Sequence, residues 1–184
     1  MPATPRNTAR PTCHALGDNP VVLTATDKAG NTASAPAVVR VEGAVPAPAI
    51  AVSRTDATPT GQPANTIVLG YGAQNVTLTA SDTAAGSSSG FIWTPGDGLS
   101  SANGASTVFT PSAAGSYAFR VQVANQNGCR AESSVTIAVI DASCKGNKVL
   151  VCKTTGSGKS HEICVSDNAV PAHLKNGAVL GACS

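Results

Sequence analysis

Gly158-Lys159-Ser160 are the residue types that cradle and neutralise a phosphate when a glycine-rich loop runs from a buried strand into a helix. That chemistry needs a further glycine where Lys153 stands, and a helix after the serine. His161-Glu162-Ile163-Cys164-Val165 instead alternates polar and apolar residues, as a strand does, and only 24 residues follow Ser160, too few for a parallel sheet. The stretch reads as a hairpin loop between strands at 148–153 and 161–165, with Lys159 in solvent.

The six cysteines are the other reactive group. Cys144, Cys152, Cys164 and Cys183 crowd into the last 41 residues, with gaps of 7, 11 and 18 that lack the short Cys-x2-Cys knuckles of zinc sites. Such density in a weakly charged chain points to disulfides and an oxidising compartment, with three pairings open among these four. Cys13 and Cys129 are left with three fates: a bridge to each other, a bridge to another chain, or free thiols. His14, His161 and His173 stand in no nucleophile or metalloprotease motif, and the ten acidic residues are scattered over loops. Asp97, between Gly96 and Gly98, offers too few oxygens for a strong calcium site. The expectation is therefore of no catalytic residue, no metal site and no cofactor.

The elements that hold these residues are short strands. Charged residues make up 12% of the chain, and Thr, Ser, Ala, Gly and Val dominate, which favours β-structure over surface helices. Residues 1–43 carry four basic and three acidic groups (+1), 44–141 three and five (−2), and 142–184 five and two (+3), an unclustered balance with no nucleic-acid footprint. No run of 18 apolar residues exists, so no membrane insertion is expected, and the N-terminus shows no apolar signal core. The sequence reads as a processed product or a part of something longer.

Residues 20–26 and 37–41 alternate around Asp27-Lys28-Ala29-Gly30-Asn31, which predicts a hairpin that cannot stand alone. Pro46-Ala47-Pro48 marks a stiff linker. Residues 49–140 then show about seven apolar stretches separated by turn residues, the pattern of a β-sandwich, with Phe91, Trp93, Tyr117 and Phe119 as core. After Asp141 a hairpin is followed, within 166–177, by a helix of about two turns, started at Ser166 or Asp167 and closed at Gly177. The fold class is all-β: an N-terminal hairpin (1–43), an immunoglobulin-like sandwich (44–141) and a small disulfide-rich module (142–184).

Three resemblances sharpen this. YGAQNVTLTAS, FIWTPGDGLSSANGAS and the run from FTPSAAGSYAFRV to TIAVID resemble PKD-type repeats of bacterial surface proteins over about 95 residues. CHALGDNPVVLTATDKAGNTASAPAVVRVE is similar to the closing hairpin of a hyalin-repeat (HYR) domain, whose second cysteine is missing here. The tail resembles a cysteine-rich module of large secreted bacterial proteins through Cys152, Cys164, AVPAHL at 169–174 and Cys183; Lys153 and Asn176-Gly177-Ala178 replace its other side chains. Together they imply a secreted or cell-surface, non-enzymatic structural protein. It would be a segment or subunit of a fibre, stalk or adhesin, assembling by strand donation from the hairpin or joining other domains of the same surface protein. The alternative is a module binding polysaccharide, for which Tyr71, between two glycines, is the available aromatic.

Overall fold

The computed structural model describes residues 13–84 and 88–183; residues 1–12, 85–87 and 184 lie outside it, as do the side chains of His14, Ser88 and Ser89. After a single 3-10 turn at Cys13–Ala15, β1 (Gly17–Thr26) and β2 (Thr32–Val41) pair antiparallel in ten cross-strand pairs, from Gly17↔Val41 to Thr26↔Thr32. The five-residue turn is built by Asp27, whose carboxylate accepts from the backbone N–H groups of Ala29 and Asn31 and from the Asn31 side chain. Those bonds, the Asn31 side chain first, hold the Asp27 carboxyl below the usual range. The strands are longer than the sequence reading because Pro20 and Pro36 sit inside them, opposite Val38 and Val22.

Two sheets form the sandwich. One has the order β3 (Pro48–Arg54), β5 (Val76–Asp82), β7 (Ser106–Phe109); the other runs β4 (Thr66–Leu69), β9 (Arg130–Asp141), β8 (Gly115–Asn125), β6 (Ser88–Thr94). Among the described residues, only β4 and β9 pair parallel. Alternation sends Val76, Leu78 and Ala80, Phe119, Val121 and Val123, and Ile137 and Val139 inward, where they meet Ile67, Trp93 and Phe109. Trp93 is buried and donates its indole N–H to the Gly104 carbonyl (3.0 Å), which satisfies its one polar atom. Phe91 and Tyr117 pack against this core, and Phe109 lies 4.9 Å from Tyr117 and 4.7 Å from Phe119, ring centre to ring centre. Gly98 takes φ +76°, and a Cβ there would sit 2.9 Å from the Phe109 ring, so only glycine lets the chain cross that ring.

The tail forms a further sheet from β10 (Ser143–Cys144), β11 (Lys148–Thr154), β12 (Ser160–Val165) and β13 (Val179–Leu180). A 3-10 turn at Asp167–Ala169 leads into α1 (Val170–Lys175), which ends with Gly177 at φ +80°, Gly177 N–H bonded to Leu174 and Ala178 N–H bonded to His173. Ser166 precedes the 3-10 turn but makes no side-chain cap bond. The fold is mostly β with three disulfides, Cys13–Cys129, Cys144–Cys164 and Cys152–Cys183.

Candidate functional site

Gly158 and Lys159 fall on the turn between β11 and β12, and Ser160 opens β12 opposite Thr154. Thr155 N–H reaches the Lys159 carbonyl (2.8 Å), Gly158 N–H reaches Thr155 (2.9 Å), Gly158 takes φ +78°, and Lys159 is exposed. A strand follows where a phosphate loop would need a helix dipole. His161 lies on β12 opposite Lys153, and His173 is half-buried in α1. Among the described residues, no three His, Cys, Asp or Glu side chains gather where they could hold a metal ion.

Asp97 is exposed beside a cleft of about 470 Å³ lined by Pro95, Asp97, Gly98, Pro111 and Tyr117 over the rings of Phe109 and Phe119. The two phenylalanine rings are buried, so half-buried Tyr117 is the aromatic that the cleft presents beside its prolines.

Tyr71 departs from its expected role. It is 7% exposed and packs with Val68, Ala142, Val149, Val170 and Leu180, so it is not available to a saccharide. Burial first, then the negative charges of Asp167 and Asp56, push its hydroxyl pKa above 10.0. This correction exposes a junction that the sequence reading missed. On β4, Ile67 points into the sandwich core while its neighbour Val68 points the other way, into the core of the tail. The backbone continues the join: Ala142 N–H bonds to Leu69 (2.9 Å) and Leu150 N–H to Ala142 (2.7 Å), while the Asp141 carboxylate accepts from Ser143 N–H (2.8 Å). Gly70, at φ +88°, lies against Ser143 at a distance that leaves no room for a Cβ. A four-residue strand buried on both faces carries no alternation, which is why its outward valine left no signal.

The remaining feature is the β1–β2 hairpin. Its base is moored by Cys13–Cys129 and by the Asn125 side-chain amide, which donates to the Ala44 carbonyl (2.8 Å). Beyond that base it stands in solvent: Val22 is 71% exposed, Leu23 64%, Val38 65% and Val39 49%.

Residues 58–139 match the PKD domain family. PKD domains are non-catalytic, immunoglobulin-like modules. Among solved structures, the solution structure of the PKD domain from KIAA 1837 protein is similar, at 26% identity over 41% of this chain and 78% of that one, with a TM-score of 0.36. No curated protein matches the chain. The match lies within the sandwich; β3, the hairpin and the tail lie outside it. With three disulfides, the PKD domain points to an extracellular or secreted protein, and no helix among the described residues is long and apolar enough to cross a membrane.

Proposed function

We propose that this chain is a non-enzymatic structural subunit of a bacterial extracellular fibre, stalk or adhesin, in which the PKD domain is the spacer and the β1–β2 hairpin is the arm that joins one copy to another. Its three pieces are the hairpin segment (1–43), the PKD sandwich (44–141) and the tail (142–184), the last acting as a stapled cap on the sandwich end. The observation that carries the reading is the hairpin itself: ten paired residues per strand, both faces in solvent, held to the folded body by a disulfide. A two-stranded hairpin is marginal in water unless a third element covers it. Apolar side chains in such numbers on an isolated ribbon fit a surface that is completed by another molecule.

Replacing residues 18–40 by Gly-Gly tests this cleanly, since Gly17 and Val41 lie across the strand pair from each other. Sedimentation velocity over a wide concentration range is expected to show the full chain gaining mass with concentration and the shortened chain remaining a monomer. A full chain that stays monomeric throughout, or a shortened chain that associates equally well, overturns the proposal.

A further inference from the structure

β8 outruns one of its neighbours. β9 accompanies it from Gly115 to Ala124, whereas β6 pairs with it only between Arg120 and Asn125 and stops at Thr94. Pro95 then takes the chain out of the sheet and across the Phe109 ring at Gly98, to the edge of β7, where Leu99 bridges Phe109 and Thr110 N–H bonds to the Gly98 carbonyl (2.9 Å). Asn125 N–H bonds to the Cys129 carbonyl (2.9 Å), so in this register the odd residues of β8 bond to β9, and the even residues turn both N–H and C=O toward the β6 side. Ser116 and Ala118 are the even residues that β6 does not reach, and no backbone group among the described residues pairs with theirs on that side. The outer edges of β6 and β7 are better closed: Trp93 N–H reaches Ala102, Gly104 N–H reaches Phe91, and Ser100 N–H reaches Val108. A gap two residues long is left in the β6 lane. The cleft of about 470 Å³ lies in it, lined by Ser116, Tyr117 and Ala118 on one side and by Asp97 and Gly98 of the crossing on the other.

We infer that this cleft binds an extended segment of a partner protein, which adds to β8 antiparallel, as β6 does, in the lane that β6 vacates. The inference goes beyond the joining role of the hairpin and does not rest on it. Hydrogen bonding selects the occupant. Ser116 and Ala118 offer two donors and two acceptors, repeated at the ~6.8 Å of two strand residues, a repeat that a polypeptide backbone matches group for group. Side chains then select the sequence. The odd residues of β8 point inward, so the peptide residue opposite Tyr117 enters the cleft over the buried rings of Phe109 and Phe119, where an apolar side chain fits. At the closed end of the lane Arg120 is held by Glu132 (3.2 Å), while Asp97 on the rim is exposed and makes no ion pair among the described residues. The open charge of the cleft is thus negative and favours a lysine or arginine beside the apolar residue.

The walls are already set. Tyr117 donates its hydroxyl to the Ala113 carbonyl (2.8 Å) and Leu99 N–H bonds to Gly96 (3.1 Å), so a peptide meets a shaped site and little has to be ordered on binding. The chain's own segments are poor occupants. In the hairpin Asp27 N–H bonds to the Asn31 carbonyl (2.9 Å), so the odd residues of β1 form the hydrogen-bonded pairs and the even residues turn their N–H groups outward. Pro20 on β1 and Pro36 on β2 both fall in the outward set, and each removes a donor from the middle of a free edge, a recurrent means of keeping edges unpaired. Residues 1–12 contain Pro2, Pro5 and Pro11, which lack the same donor. A segment without prolines has to come from another protein.

The test titrates the full oxidised chain, isotopically labelled for amide NMR, with the blocked peptide acetyl-Lys-Val-Thr-Val-Thr-amide. Saturable shifts and slowed exchange are expected at the Ser116 and Ala118 amides, with those of β5 and the hairpin unmoved. Ser116→Pro, which removes one outward donor, is expected to raise the dissociation constant about tenfold. Asp97→Asn is expected to raise it about threefold for this peptide and to leave it unchanged for the same peptide with glutamine in place of lysine. Methylating the backbone nitrogens of the two threonines removes the donors that face β8 and is expected to abolish binding. This arm decides the matter even where Ser116→Pro fails to fold: equal binding of the methylated peptide overturns strand addition. Shifts confined to another edge, or none that saturate by ~1 mM, overturn the site. The chain shortened at 18–40 is expected to bind the probe as the full chain does, which separates this result from the joining role. If the Ser116 and Ala118 amides shift with protein concentration alone, and only when residues 18–40 are present, the occupant is a second copy's hairpin, and the choice of a foreign partner is overturned.

Discussion

Tyr71 has a hydroxyl that ionises only with difficulty. In the folded chain its pKa lies above 10.0, because burial and the nearby Asp167 and Asp56 disfavour the phenolate; in the unfolded chain it returns to about 10.0. The folded state thus holds its proton more tightly than the unfolded state. The corresponding stability is complete below pH 10 and drains away as pH rises from there through the folded pKa. Chemical denaturation of wild type and Tyr71→Phe at intervals from pH 8 to 11.5 is expected to show wild type falling more steeply above pH 10; parallel curves would mean that the hydroxyl is solvated in the folded state. Gly98 is a second residue whose chemistry is its lack of a side chain. At φ +76° and with Phe109 2.9 Å from any added Cβ, Gly98→Ala combines backbone strain with a clash and is expected to cost ~2 kcal/mol or more, read from urea midpoints.

Among the elements, the hairpin and β4 behave oppositely. The hairpin amides have no covering layer in the monomer, so hydrogen exchange at 17–41 is expected to be orders of magnitude faster than at β5, β8 and β9. Val22, Thr24 and Thr26, whose N–H groups face outward, should be fastest within it. Cys13→Ser/Cys129→Ser releases the arm from the sandwich. The disulfide spans 116 residues, for which the loop-entropy argument gives at most about 4–5 kcal/mol, and a fall in melting temperature with the PKD domain still folded is the expected result. Much of this was legible from sequence: the all-β class, the positions of Trp93 and Phe119 and the β11–β12 hairpin all follow from period-2 alternation and turn residues. The full length of β1 and β2 was not, because Pro20 and Pro36 look like strand ends until the register shows them on free edges. Tyr71 was misread for a related reason. Flanking glycines suggested an open loop, yet Gly70 at φ +88° is what lets the chain close against Ser143 and bury the ring. The pairing of the four tail cysteines goes with the packing of β10 to β13 and has no local signal at all.

On the scale of the whole molecule, the decisive fact is that the two hydrophobic cores share β4. Ile67 and Val68 are adjacent in the chain and fully buried on opposite sides, one among the sandwich residues and one among those of the tail. A module of some forty residues rarely makes a sufficient core of its own, and here it takes Val68 and Tyr71 from the PKD domain. The cost runs in both directions, since a PKD domain without the tail would leave those two side chains in water. Wild type is accordingly expected to melt in a single calorimetric transition, sandwich and tail together, and Val68→Ala to destabilise by roughly 2 kcal/mol and weaken that coupling. Its effect should differ from that of Ile163→Ala, which thins the same core from β12 without altering β4 itself. If Val68→Ala splits the melt in two while wild type shows one transition, β4 is the coupling element. If wild type already melts in two steps, the cores are independent and the tail is a tethered module rather than a cap. A single transition has a mechanical consequence for a subunit pulled through its arm: with Cys13–Cys129 tying the hairpin to the β8–β9 turn, load enters at the sandwich, and the tail contributes resistance only because β4 makes the two cores unfold as one.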